Sequence, residues 1–465
     1  MSKDTDTPDR SSDKIQQAKR LAELASTGAS LGSKTILHRA RLATQPKDRR
    51  QQLQAEYQIK TAQEVRARLG NMRGVFMKLA QMASYVDERV PANMREALAQ
   101  LQMDAPPMQW KLAREVLETS LGRTVASCFD EIDEEPIAAA SIGQVHRAIT
   151  TSGQQVAVKI QYPDAAAAIS ADLRNTPLLA KILKSLFPSM ETAEMTQELR
   201  ERFLEELDYR HEASIQRRFA SYYDGHPTIV VPKVIDHLTS DAVLTSEFIT
   251  GQTFKEICQA SQTERDRAGE TLFRFVFRSL YQMNLFNGDP HPGNYIFLGN
   301  GRVAFLDFGF SRSFSSSELS IFESLVQSMV VTHDLHHFRN QAERAGLLLN
   351  SGALTDEAIA SYFEIFYEIV SCDRPLRISP EYCSAVLSRS FSNDHAIASS
   401  LNVPRSFVVI QRINMGLYAI LAALGSEVNW RKVAEEIWPF TLSPATTQIG
   451  AAEVEWLDAK KRSER

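Results

Sequence analysis

The chain of 465 residues is 43% hydrophobic and 23% charged, enough for at least two hydrophobic cores at roughly 150 residues per domain. A formal net charge of -5 excludes bulk attraction to nucleic acid, and no nucleic-acid partner is expected. The 4 cysteines, Cys128, Cys258, Cys372 and Cys383, form no C-x-x-C pair, which argues against a zinc site or a disulfide framework and for free thiols in a reducing compartment.

In chain order, the opening "MSKDTDTPDRSSDK" is polar and acidic where a signal peptide needs an apolar core, so a cytoplasmic location is expected. Residues 1–60 read as a polar extension, partly disordered and partly helical. Within it "GASLGSKT" (Gly28–Thr35) resembles a phosphate-binding loop, but its second glycine comes one place early and no apolar strand precedes it. Residues 61–135 are helical in pattern through "GVFMKLAQMASYV" and "PANMREALAQLQ", and consecutive prolines in "APPM" stop the run.

Residues 136–250 change texture. Two β-type runs, "SIGQVHRAIT" and "QQVAVKIQYP", are joined through Ser152-Gly153 as a hairpin would be. A helix is predicted from Glu191 to Phe219 and beyond, with Leu199, Phe203 and Leu207 on one face, before the β-type pieces "TIVVPKVI" and "AVLTSEFITG". Residues 251–440 are mainly helical, and 441–465 read as a tail. The apolar run Ile413–Gly425 is shorter than the roughly 18 residues a spanning helix needs, so it is expected to be a core helix. The plan is α+β and bilobal: a small strand-rich lobe with one helix, then a larger helical lobe.

The chemistry is concentrated in "FNGDPHPGNYIF" (Phe286–Phe297) and "FLDFG" (Phe305–Gly309). Asp289 and Asn294 bracket a proline-stiffened loop, and Asp307 follows on a strand end. Phosphoryl transfer uses such a set: an Asp to orient or deprotonate the attacking group, and Asn and Asp oxygens to hold magnesium against phosphates. Taken singly, each is equally a turn or capping residue. Upstream, "VAVKI" puts Lys159 in an alternating strand, as the V-A-I-K signature does, and Glu212 in "YRHEA" offers it an acid partner. Backbone groups of Glu247 and Phe248 in "LTSEFITG" would face an adenine ring. His291 reads as a loop-ordering side chain, and Trp110, Trp430, Trp438 and Trp456 as packing or surface aromatics.

Two departures separate the chain from ordinary protein kinases. The loop expected as G-x-G-x-x-G reads "PIAAASIGQVH", with Ala138, Ala139, Ala140 and Ser141 where glycines would let the backbone close over phosphates. No A-P-E follows Asp307, so a peptide docking platform is not expected.

Over roughly residues 60 to 430 the sequence resembles the UbiB/AarF-type atypical kinases, the ADCK-like group of the protein-kinase-like superfamily. The resemblance rests on "KLAQ" (Lys78–Gln81), "AAAS", "VAVKIQYP", "ELD" (Glu206, Asp208) running into "YRHEA", "GDPHPGN" and "LDFG". It implies a kinase-like fold with added N-terminal helices over the cleft, into which Lys78 and Gln81 point, and Glu206 as the partner of Lys78. Helical spacing agrees that Lys78 and Gln81 share a face.

The resemblance further implies that Lys159, Glu212 and the "AAAS" loop position ATP, that Asp289 is the catalytic-loop acid, and that Asn294 and Asp307 bind Mg2+. It implies ATP hydrolysis or small-molecule phosphorylation supporting ubiquinone and related isoprenoid-lipid metabolism. A quinone-precursor or lipid ligand, peripheral membrane contact, or a lipid-biosynthesis complex would be the partners. Ala80 replaces the family's KxGQ glycine, and Asn287-Gly288 stands where relatives carry His-Ala. A catalytically silent nucleotide-binding scaffold is the alternative these departures leave open.

Overall fold

A computed structural model describes residues 107–140, 142–163, 207–287, 290–391, 397, 400–402, 404–441 and 443–463. Among them, residues 107–116, 136–140, 142–144, 160–163 and 207 fall in one compact unit and the rest in a second. In the first unit Gln144, fully buried, accepts from the Met108 N–H at 2.8 Å and donates to the Met108 carbonyl at 3.2 Å. The Gln161 amide donates to the Leu207 carbonyl, and the Tyr162 N–H to the Ile142 carbonyl.

In chain order the described elements begin with α1 (Trp110–Leu121), α2 (Val125–Cys128), β1 (Phe129–Ile132), β2 (Ala138–Ala139), β3 (Gly143–Thr150) and β4 (Gln155–Gln161). Next come α3 (Tyr209–Tyr222), β5 (Ile229–Val230), β6 (Val243–Glu247), α4 (Phe254–Ile257) and α5 (Gln262–Met283). A strand cluster follows: β7 (Leu285–Asn287), β8 (Tyr295–Gly299), β9 (Arg302–Phe305) and β10 (Ser311–Ser313). The remaining elements are α6 (Ser316–Val326), α7 (Leu335–Arg344), α8 (Asp356–Ser371), β11 (Leu376–Arg377), α9 (Pro380–Phe391), α10 (Arg405–Leu424), β12 (Glu427–Val428), α11 (Trp430–Ile437) and α12 (Gln448–Ser463).

One sheet runs β1-β3-β4-β6, with β2 beside β3. The predicted hairpin forms at Ser152-Gly153: the Gly153 N–H donates to the Thr150 carbonyl, and Gly153 takes a φ of 80° that glycine adopts at little cost. Alternation in β4 buries Val156, Val158 and Ile160 and turns Lys159 to the other face. A smaller sheet, β5-β9-β8, pairs β8 with β9 antiparallel, Tyr295 opposite Phe305.

Helix α3 starts later than the sequence pattern suggests. Leu207 lies in a turn and Asp208 is the N-cap, its carboxylate accepting from the His211 N–H at 2.9 Å. Residues 207–208 are therefore not helical, where the sequence predicts one continuous helix; Glu191 to Glu206 lie outside the described residues. An Asp in front of an amphipathic stretch satisfies one of the four orphan amides and complements the helix dipole, which sets the start of α3.

The helical part is organised around α5, which packs against α10, α11, α12, β7 and β9. Its apolar face carries Leu272, Phe273, Phe275, Val276 and Leu280, each buried. The predicted core helix at Ile413–Gly425 is the C-terminal part of α10, ending on Gly425 at φ 61° and burying Ile413, Leu417, Leu421 and Leu424. Among the described residues no helix is long and apolar enough to cross a membrane. Trp430 is fully buried, with its indole N–H on the Leu376 carbonyl.

Candidate functional site

Strand β4 and helix α3 bring the first pair together. Lys159 Nζ donates to both carboxylate oxygens of Glu212, at 2.8 and 2.9 Å. A β-strand lysine gains a fixed position only if something clamps its flexible stem. Glu212, 3% exposed and in the first turn of α3, does so at the ammonium, and the Tyr209 ring lies 5.0 Å from the same group.

The third member arrives from the end of β9. Asp307 Oδ2 stands 3.4 Å from the same ammonium, with its side chain 32% exposed against 16% for Lys159. Burial by itself would lower the Lys159 pKa, but Asp307 and Glu212 together hold it well above the ordinary lysine range. The lysine is therefore a permanent cation shared by two carboxylates, and the cluster carries one negative charge in excess.

Several contacts fix Asp307. Its Oδ1 accepts from the Gly309 N–H at 3.0 Å, and its backbone carbonyl accepts from Asn287 Nδ2 at 2.8 Å. Asn287 also sits opposite Ser311 in the β7–β10 pairing, so the strands on either side of the two loops are tied together at this residue. Phe308 is fully buried with its ring 4.9 Å from Phe219 of α3, and Phe219 lies 5.4 Å from Phe275 of α5, which stacks on Phe305. This aromatic column joins the helix that carries Glu212 to the segment Phe305–Phe308 that carries Asp307. A Cβ on Gly309 would stand 3.3 Å from Glu212 Oε2, so the glycine admits the close approach of the two carboxylate-bearing segments.

Asn294 ends a short 3-10 turn, Pro292–Asn294, and its carbonyl accepts from the Leu306 N–H at 3.0 Å. That bond registers Asn294 beside the residue preceding Asp307. His291 orders the turn, as expected, by accepting from the Gly293 N–H through Nδ1. Pro290 abuts helix α10 at Gly416, where any Cβ would collide with the proline ring.

The other predicted positions fall as follows. Glu247 and Phe248 lie at the end of β6, but their N–H groups already donate to the Lys233 and Gln155 carbonyls. Those two amides are used by the sheet and are not the donors an adenine would meet. Ala138 and Ala139 form β2 and are exposed, and the Ala140 N–H donates to the Gly143 carbonyl. Asp208 serves as the cap of α3. Lys78, Gln81, Ser141, Glu206 and Asp289 lie outside the described residues.

The short return after Asp307 was also legible only in part. The missing A-P-E has a structural counterpart: residues 310–315, which include β10, lead directly into α6, whose N-cap Ser315 forms a capping box with Glu318. Tyr209 and Gly416 were missed. A glycine inside an apolar helical run was the one available signal, since it marks a close approach.

Among the described residues no group of three or more His, Cys, Asp or Glu side chains could hold a metal ion. Asn294 and Asp307 are two hard oxygen donors. Such a pair suits Mg2+, which keeps several waters and completes its shell with substrate phosphates.

Residues 100–341 match the ABC1 atypical kinase-like domain. Over 277 residues the chain is 34% identical to a Dictyostelium discoideum protein described as probable serine/threonine-protein kinase abkA, covering 56% of this chain and 48% of that one. It is 27% identical over 388 residues to the Saccharomyces cerevisiae mitochondrial atypical kinase COQ8, covering 80% and 75%. A solved structure of Rv3197 with erythromycin, from Mycobacterium tuberculosis, superposes with a TM-score of 0.62 at 29% identity, covering 85% of this chain and 100% of that one. The matched region thus spans about half the length of the first of these relatives and three quarters of the second.

Proposed function

Since the chain belongs to the ABC1 atypical kinase-like family, we propose that it is a magnesium-dependent ATPase or small-molecule kinase rather than a conventional protein kinase. The observation that carries this reading is the shared Lys159 ammonium. Glu212 holds it at two short distances, while Asp307 holds it at one longer distance and is the more exposed partner. A nucleotide phosphate entering the site competes with Asp307, not with Glu212, for the ammonium. Asp307 would then be free to serve as a metal ligand while Glu212 keeps Lys159 in place.

In this reading Asn294 and Asp307 hold Mg2+, which neutralises charge on the phosphates when bound. Lys159 aligns the α and β phosphates. Asp289 is the acid that orients or deprotonates the attacking hydroxyl or water, and Lys78 and Gln81, with Glu206, gate the cleft. The "AAAS" loop covers the phosphates, and the chain at Glu247–Phe248 borders the adenine. The connection between Gly309 and α6 is short and taken up by β10, which supports a small acceptor or water over a peptide. The acceptor class is an isoprenoid-quinone precursor or related lipid, met at a membrane surface or in a lipid-biosynthesis complex.

The test is phosphate release from ATP by the purified chain, with and without liposomes and quinone-precursor analogues. Turnover that Asp307→Asn abolishes is expected. No turnover under any of these conditions, together with a thermal shift on Mg-ATP, would instead establish the silent scaffold.

A further inference from the structure

A cavity, partly open to solvent, lies within the helical part. It has a volume of about 170 Å³ and is bounded by α5, α6, α8 and α10, with Tyr281, Phe366, Tyr367 and Tyr418 among its walls. No charged side chain lines it. The walls are aromatic and aliphatic apart from a few uncharged polar groups, which include Asn414.

Asn414 Oδ1 is buried and has no hydrogen-bond partner among the described residues. A buried carbonyl oxygen without a donor costs about 1–3 kcal/mol, and native proteins leave few. An apolar cavity of about 150 Å³ takes up benzene-sized guests, so the volume here suits one ring or two small fused rings. The aromatic walls favour an aromatic guest in edge-to-face contact. The uncharged lining excludes phosphates, carboxylates and ammonium groups, which would be stripped of water without compensation.

We propose that this cavity binds a neutral aromatic molecule of one or two fused rings that carries a single N–H or O–H donor, accepted by Asn414 Oδ1. The site is separate in chemistry from the Lys159 cluster, which takes a polyanion. Met415 lines the cavity, and the next residue, Gly416, carries the contact with Pro290. The test therefore reads binding, not turnover, and stands whether or not the chain hydrolyses ATP.

The probes are indole and its carbon isostere indene, which match in shape and differ in the donor. Binding to the full chain is measured by ligand-observed NMR, with Kd from titration. Indole is expected to bind about tenfold more tightly than indene, the factor one satisfied buried acceptor supplies. Asn414→Leu is expected to erase the preference by strengthening indene and weakening indole. Val326→Phe, which fills the cavity from α6, is expected to abolish binding of both while unfolding remains cooperative. The proposal is overturned if neither probe binds up to about 1 mM, a free energy of about -4 kcal/mol. It is also overturned if wild type binds the two equally, or if Val326→Phe leaves binding unchanged. Should Asn414→Leu not fold, the wild-type pair and Val326→Phe still decide.

Discussion

Two buried ionic clusters share this chain and are built to opposite ends. In one, Lys159 is the single cation between Glu212 and Asp307, and Asp307 is open to water on one side. In the other, Arg274 of α5, fully buried, donates to Glu270, to Glu436 and, at 2.8 Å, to Glu453, while Arg278 donates to Glu453 at 2.7 Å through Nη2 and 3.1 Å through Nε. His226 closes it: Nδ1 accepts from the Thr228 and Ile229 N–H groups, so Nε2 carries the proton and faces Glu453. Burial would raise the Glu453 pKa, yet His226 and the two arginines hold its carboxyl far below the usual range, while burial pushes Glu270 up.

Each cluster holds one more carboxylate than it has cations, but the surplus has different consequences. Around Arg274 every acid is surrounded by donors, including Thr447 to Glu270 and Thr446 to Glu436, and water is excluded. That cluster staples α12 to α5 and completes a fold. At Lys159 the surplus faces an opening. Under the proposed function, Asp307 is the carboxylate that would meet a divalent cation, whereas the Arg274 cluster has no carboxylate so exposed.

Asp307→Asn should produce the largest contrast. We expect turnover to fall by about a hundred- to a thousandfold, with stability changed by less than about 1 kcal/mol because Glu212 keeps Lys159 paired. Steady-state phosphate release and urea unfolding measure the two quantities, and a large stability loss would erase the distinction between the clusters. Glu453→Gln should do the reverse. Removing the acid shared by Arg274 and Arg278 costs about 3–5 kcal/mol, seen as a lowered urea midpoint, while residual folded protein retains turnover.

Asn287→Ala removes the bond to the Asp307 carbonyl, and turnover should fall about tenfold. Asn287→His, which can donate from its ring to the same carbonyl, should recover most of it. The smallest effect concerns pH. Burial depresses the pKa values of both His226 and His146, so the unfolded chain binds their protons first. Stability from these groups is complete above about pH 6.5, the unfolded value, and is lost as pH falls toward the folded values. His226→Asn should flatten the decline in melting temperature below that point by up to one proton's worth of slope, and an unchanged slope would mean His226 is not held neutral.

Much of the open cluster was legible in the sequence, and the closed one was not. Lys159 shows in the period-2 pattern of β4, and Glu212, Asn294 and Asp307 stand in motifs whose chemistry demands one another. Glu270 and Arg274, by contrast, sit at i, i+4 and read as an ordinary surface pair. They are buried only because Glu436 and Glu453 come from far along the chain, and sequence spacing cannot report that. The same reason hid α12: "QIGAAEVEWLDAKKRSER" reads as a charged tail, yet its Glu453 is 1% exposed. The start of α3 at Asp208 was hidden by a helical pattern that continues on both sides of a capping residue. At Glu247–Phe248 the position was readable but the hydrogen bonding was not, since the carbonyls of Lys233 and of Gln155 in β4 claim the amides.

The central claim is that the Lys159–Glu212–Asp307 cluster is completed by a metal-bound nucleotide. Calorimetric titration of ATP into the wild type and Asp307→Asn, with and without Mg2+, tests it most directly. We predict that Mg2+ tightens ATP binding to the wild type at least about tenfold, the equivalent of about 1.4 kcal/mol, and that Asp307→Asn removes this gain. ATP affinity indifferent to Mg2+ in the wild type, or a gain that survives in Asp307→Asn, would contradict it.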